Sequence, residues 1–166
     1  CGDLTCQASE SAESCPEDCV VCGDGLCDST ELASASCALD CPTLSEGGAL
    51  INEVVAAGAP DWVELLSTSD EALDLTGYGL SDDLTLPFKA TLNALTLEPM
   101  GYLVVEVSDE ILGFKLGGDE LVTLCDPSGM IIDVVDWAEG DAPEMMSWGR
   151  SPDGAEAWAT LTPTPG

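Results

Sequence analysis

The sequence predicts an all-β protein, a layered antiparallel sandwich or barrel behind a small cysteine-rich head. Three observations lead there. Short β-favouring runs recur through the last two thirds of the chain, most of them separated by Gly- or Pro-bearing turns. No stretch of helix length carries a 3.6-residue apolar period. Eight of the nine cysteines fall within the first 41 of 166 residues, which sets that part off as a unit of another kind.

The head is a duplication. Cys1, Cys6, Cys15 and Cys19 align with Cys22, Cys27, Cys37 and Cys41, giving C-x4-C-x8-C-x3-C and C-x4-C-x9-C-x3-C with only Val20 and Val21 between them. Asp3 recurs as Asp24, Glu10 as Glu31 and Asp18 as Asp40. A repeat this short cannot bury a core and needs covalent staples or a metal. Two disulfides per copy are expected, each contributing about 2–4 kcal/mol; the spacing leaves all three pairings per copy open. The expected organisation is therefore two tandem repeats (1–19 and 22–41), a linker at 42–48 (PTLSEGG), and a sandwich over 49–166.

Within the sandwich, strands are expected at Ala49–Ala56 (ALINEVVA), Trp62–Leu66 (WVELL), Tyr102–Val107 (YLVVEV), Glu120–Cys125 (ELVTLC) and Met130–Trp137 (MIIDVVDW). The DPSG stretch at Asp126–Gly129 lies between two apolar runs and reads as a hairpin connection. Expected inward residues are Trp62, Val63, Leu65, Val104, Val122, Ile132, Val134 and Trp137, although the run Ile131–Val135 does not alternate cleanly. Tyr78 and Trp148, each with an apolar body and a polar tip, are expected to plug the sandwich ends.

These blocks resemble a known family. INEVVAAGAPDWVELLSTSDEALDLTGYGLSDD (Ile51–Asp83) is similar to the opening of the lamin tail domain, and the likeness continues through LEPMGYLVV, GGDELVTLCDPSGMIIDVVDW, SWGRSPDG and the closing WATLTPTPG. It covers about residues 47–166. Ser67 stands where the family usually has Asn, and Met100 interrupts its usual Pro-Gly. The resemblance implies an immunoglobulin-like β-sandwich and an interaction module; bacterial relatives look like exported modules, often appended to secreted hydrolases or surface proteins.

Charge narrows the function. Thirty-two carboxylates face only Lys89, Lys115 and Arg150, a net charge of −29. Three cations cannot neutralise a phosphate backbone, so no nucleic-acid partner is expected, and anionic membrane surfaces are disfavoured. No apolar run approaches the length of a membrane span. Clustered cysteines point to an oxidising compartment, hence an extracellular or cell-surface location. A chain beginning at Cys1 is expected to be mature or excised; lipidation of Cys1 is the lesser reading, because Cys22 occupies the same repeat position.

For the recurring acids Asp3, Glu10, Asp18, Asp24, Glu31 and Asp40 two readings stay open. Calcium takes six to eight oxygens and would find three carboxylates per copy; otherwise the acids cap turns or are solvated charge. Zinc fits the count of four cysteines per copy, but within each copy the spacings are x4, x8–9 and x3 rather than a C-x2-C knuckle. A redox device would need an activated C-x-x-C at a helix start, and the one C-x-x-C, Cys19–Cys22 at the junction of the copies, is not of that kind. Cys125 is expected to be a small buried apolar residue rather than half of an intermolecular bridge.

No enzyme is expected. The chain has no His, no nucleophile elbow and no phosphate loop. The acid pairs Asp82–Asp83 and Asp133–Asp136 read as solvated faces, and Arg150 as a salt bridge closing a turn. The function expected is structural or interactive, in adhesion, surface assembly or an extracellular filament, with a protein or cell-surface partner or self-assembly. The alternative is an accessory binding module of a larger secreted hydrolase.

Overall fold

The structure, a computed structural model, describes residues 48–58 and 60–166. Eleven strands and no helix occupy them: β1 (Ala49–Val55), β2 (Asp61–Ser67), β3 (Leu73–Asp74), β4 (Gly79–Ser81), β5 (Ala90–Thr91), β6 (Thr96–Leu97), β7 (Tyr102–Val107), β8 (Glu120–Cys125), β9 (Ile131–Trp137), β10 (Ser147–Arg150) and β11 (Trp158–Leu161). All pairings are antiparallel. They form a five-stranded sheet in the order β11-β10-β1-β2-β7, a four-stranded sheet β5-β4-β8-β9, and the small pair β3-β6.

The core lies between the two larger sheets. Ile51, Val54, Val63, Leu65 and Val105 supply one side, and Leu80, Val122, Leu124, Val135 and Trp137 the other. Side chains opposite one another in a ladder share a face, so the register decides which residues enter. Val63 pairs with Val105 and Leu65 with Leu103, whereas Trp62 pairs with Glu106 and Glu64 with Val104. Trp62 and Val104 therefore turn away from Val63 and Leu65. Two expected inward residues are corrected by this: Val104 is 38 % exposed, and Trp62 is only half-buried. Val134 is also only half-buried, while Val63, Leu65, Val122, Ile132 and Trp137 are buried as expected.

Two β-bulges explain where simple alternation fails. In β9, Ile131 opposes Cys125 and Asp133 opposes Leu124, which leaves Ile132 as the extra residue. In β1, Ile51 opposes Leu65 and Glu53 opposes Glu64, leaving Asn52 extra. Each bulge re-phases its strand, and each sets up a polar cluster described below.

The DPSG hairpin is formed. Asp126 Oδ1 accepts the N–H of Ser128 at 2.8 Å and of Met130 at 3.0 Å, and Gly129 takes the left-handed φ of 89° that the turn requires. These donors hold the Asp126 carboxyl below the usual range, the Ser128 hydroxyl most of all. Tyr78 and Trp148 both pack half-buried against the core. Trp148 differs from expectation at its tip, where the buried indole N–H meets no partner among the described residues; its ring stacks on Trp158 with centroids 6.4 Å apart.

Candidate functional site

The bulge at Asn52 leaves the backbone of Ile51 to be satisfied by side chains. Its N–H donates to Asp133 Oδ2 at 2.6 Å, and its carbonyl accepts from Arg150 Nε at 2.8 Å. Arg150 Nη2 donates to both Asp133 oxygens, at 2.9 and 3.1 Å, and Nη1 donates to Ala155 O at 2.7 Å. The guanidinium carbon lies 4.8 Å from the Trp158 ring centroid, within cation–π range. β10 and β9 belong to different sheets, so this ion pair closes one side of the sandwich. Burial pushes the Asp133 carboxyl up; the Arg150 charge and the N–H groups of Ile51 and Val134 pull it back. Two expectations are corrected here. Asp133 is not a solvated acid but nearly inaccessible, and Arg150 joins two sheets as well as holding its own turn.

A second polar cluster lies on the outer face of the five-stranded sheet. Glu53 and Glu64, opposite one another in β1 and β2, are both buried. The tail after β11 covers them. Its sequence alternates Thr-Pro-Thr-Pro-Gly, so backbone N–H groups are available only at every second residue. Thr164 N–H donates to Glu53 at 3.2 Å and Gly166 N–H donates to Glu64 Oε2 at 2.7 Å. The Ser147 hydroxyl also donates to Glu53. Asn52 Nδ2 reaches Glu64 at 3.1 Å and Asp153 at 3.2 Å, while Tyr102 Oη donates to Asp153 at 2.9 Å. Burial lifts the Glu64 carboxyl above its usual value; Gly166 N–H and the Asn52 amide oppose this, and the charges of Glu53 and Asp153 add to it.

Of the acid pairs that the sequence singles out, Asp82 and Asp83 are spent on local structure. Asp82 pairs with Lys89 at 2.5 Å. Asp83 accepts the N–H and hydroxyl of Thr85 at 2.8 and 2.7 Å, which hold its carboxyl below the usual range. Asp136 is exposed. Among the described residues no three carboxylates or cysteines are placed to hold a metal ion. Cys125 is buried and free, its thiol donating to Pro87 O at 3.0 Å and its ionisation disfavoured chiefly by burial. The repeat cysteines Cys1, Cys6, Cys15, Cys19, Cys22, Cys27, Cys37 and Cys41 lie outside the described residues, as do Asp3, Glu10, Asp18, Asp24, Glu31 and Asp40.

What is left free is an edge. β7 ends the five-stranded sheet, and Ser67 N–H donates to Gly101 O at 2.9 Å. Counting along the ladder from that bond, Leu103, Val105 and Val107 direct their backbone groups to β2. Tyr102, Val104 and Glu106 direct theirs outward, where no described residue pairs with them. Tyr102 is 39 % exposed, and Met100 just before the strand is 64 % exposed.

Such a molecule is an immunoglobulin-like sandwich whose buried charges serve its own backbone, a domain of the binding and structural kind. The chain belongs to the lamin tail domain family, whose model matches residues 42–139. β10, β11 and the Thr-Pro tail lie beyond the matched stretch; the two strands complete the same five-stranded sheet and the tail covers Glu53 and Glu64 on it. No curated protein and no solved structure matches the chain. No helix among the described residues is long and apolar enough to cross a membrane.

Proposed function

We propose that this chain is a non-enzymatic interaction module of an exported protein, acting in adhesion, surface assembly or an extracellular filament. The observation that carries the reading is the β7 edge, where Tyr102 and Val104 are exposed beside backbone groups that no described residue pairs. A long unprotected edge is a hazard that proteins normally blunt with proline, charge or cover, so one kept open in a strand with a single charged residue is there to be met. The buried carboxylates, by contrast, all accept hydrogen bonds from this chain and leave no acid poised for catalysis. The repeats at 1–41 act as a disulfide-stapled head, with calcium on Asp3, Glu10 and Asp18 and on Asp24, Glu31 and Asp40. Native mass spectrometry with and without chelator tests that head: a calcium-dependent mass and four disulfides are expected, and free thiols throughout would overturn it. Negative-stain microscopy of the pure protein over a range of calcium concentrations tests the module itself. Assemblies are expected, and monodisperse single chains under every condition would remove the assembly reading.

A further inference from the structure

We infer that β7 is a self-pairing edge, through which two copies of this chain join antiparallel about a two-fold axis at Val104. This rests on the interaction-module reading above and names its partner. Among the described residues the other sheet edges offer less to such pairing, and β3 and β6 are only two residues long. β11 runs into Pro163 and Pro165, which cannot donate to a ladder. β5 is two residues long, and β9 is tied to β1 through Asp133 and Arg150. β7 offers six residues with no proline, and its outward backbone groups meet no described residue.

The register follows from the strand's own geometry. Only Tyr102, Val104 and Glu106 send backbone groups outward, so their antiparallel partners must come from the same three residues of the copy. With the axis at Val104, Val104 meets its counterpart and Tyr102 meets Glu106 on both sides. All three outward residues are then paired, and each pair exchanges two hydrogen bonds. An axis at Glu106 would set two carboxylates directly opposite, which destabilises a ladder. An axis at Tyr102 would call on Met100, whose N–H is already given to Ser69 O at 2.9 Å and whose φ is 51°. The Val104 register thus makes the most bonds and brings no like charges together. It turns two five-stranded sheets into one continuous sheet, with Tyr102 and Val104 of both copies on a shared face.

The net charge of −29 opposes the approach of two copies. Self-pairing should therefore strengthen with salt, as the screening length falls from about 10 Å at about 0.1 M to about 3 Å at about 1 M. A cationic partner strand would show the opposite trend.

Sedimentation velocity of the full chain at both salt concentrations is the test, with dimers expected at the higher one. Val104→Pro removes an outward N–H that β2 does not use, so it should keep the fold and lower the association constant at least about tenfold. Tyr102→Lys sets a cation against Glu106 of the copy and should raise association about two- to fivefold at low salt. Thr91→Lys adds the same charge on the other sheet and should do less. Single chains at both salts, dimers indifferent to Val104→Pro, dimers weakened by salt, or Tyr102→Lys no better than Thr91→Lys would each overturn the inference. Should Val104→Pro fail to fold by circular dichroism, the two lysine variants decide alone. Dimers without larger particles leave the pairing standing and remove the filament; larger particles indifferent to Val104→Pro keep assembly and overturn the pairing.

Discussion

The two sides of the five-stranded sheet treat their backbone differently. On the β1/β10 side, the groups of Ile51 that a bulge frees are taken by Asp133 and Arg150, buried charges drawn from two sheets. On the β7 side, the groups of Tyr102, Val104 and Glu106 meet no partner among the described residues. An unpaired backbone group costs little in water and much in the interior. The clasp is therefore a consequence of burial, whereas the open edge is a choice that burial did not force. The first kind of site holds the fold; the second is available for a partner.

Breaking the clasp should have the largest effect. Asp133→Ala leaves the Arg150 guanidinium and the Ile51 N–H buried without their acceptor, at a cost of about 3–5 kcal/mol. Chemical denaturation measures it. Replacing Arg150 and Asp133 together by apolar residues should cost less than the two single changes summed, because no lone charge then remains.

Next come the two prolines in β7. Val105→Pro removes an N–H directed to β2 and should cost at least about 2 kcal/mol. Val104→Pro should leave stability within about 1 kcal/mol of the parent. Thermal melts of the two variants give the contrast directly. Equal losses would mean that the outward groups are not free.

Between clasp and edge lies the outer face under the tail, and a pH series on one variant isolates it. The folded chain holds the Glu64 carboxyl above its ordinary value of 4.5, chiefly through burial. Its share of stability is therefore complete below that value and is lost as pH rises through the raised one. Glu64→Gln keeps an acceptor for Gly166 N–H and removes this ionisation. The stability of the variant relative to the parent should climb as pH rises from the acid range towards neutrality, and denaturant melts across pH follow it.

The smallest effect expected is at Met100, whose left-handed φ of 51° is costly for any residue with a Cβ and whose side chain is mostly exposed. Met100→Gly should gain up to about 1 kcal/mol, read as a small rise in melting temperature.

The five long strands were legible because short β-branched runs between turn residues leave few other structures open, and β7 and β8 fall where the sequence places them. The six strands of two to four residues carry too little pattern to be read. Facing was less legible. WVELL and YLVVEV are apolar enough to be read in either phase, and only the pairing of Val63 with Val105 shows that Trp62 and Val104 turn outward. The clean failure of alternation at Ile131–Val135 was a true signal, a bulge whose extra residue no local pattern identifies. The Arg150–Asp133 pair was missed because local charge spacing says nothing about contacts between sheets. Glu53 and Glu64 were missed because their cover arrives from more than a hundred residues away. Acids inside apolar strands, together with a proline-alternating tail that offers every second N–H, were the signals that could have paired them. The head carries its organisation plainly in its cysteine spacing, but nothing in that spacing fixes how the cysteines join.

Residue-resolved hydrogen exchange along β7 tests the central claim most directly. In dilute, low-salt solution the amides of Leu103, Val105 and Val107 should be protected and those of Tyr102, Val104 and Glu106 should exchange freely. At high salt and high protein concentration the second set should become protected as well. Protection of all six in the dilute chain would show the edge already covered, and free exchange of the second set in the assembled state would place the contact elsewhere.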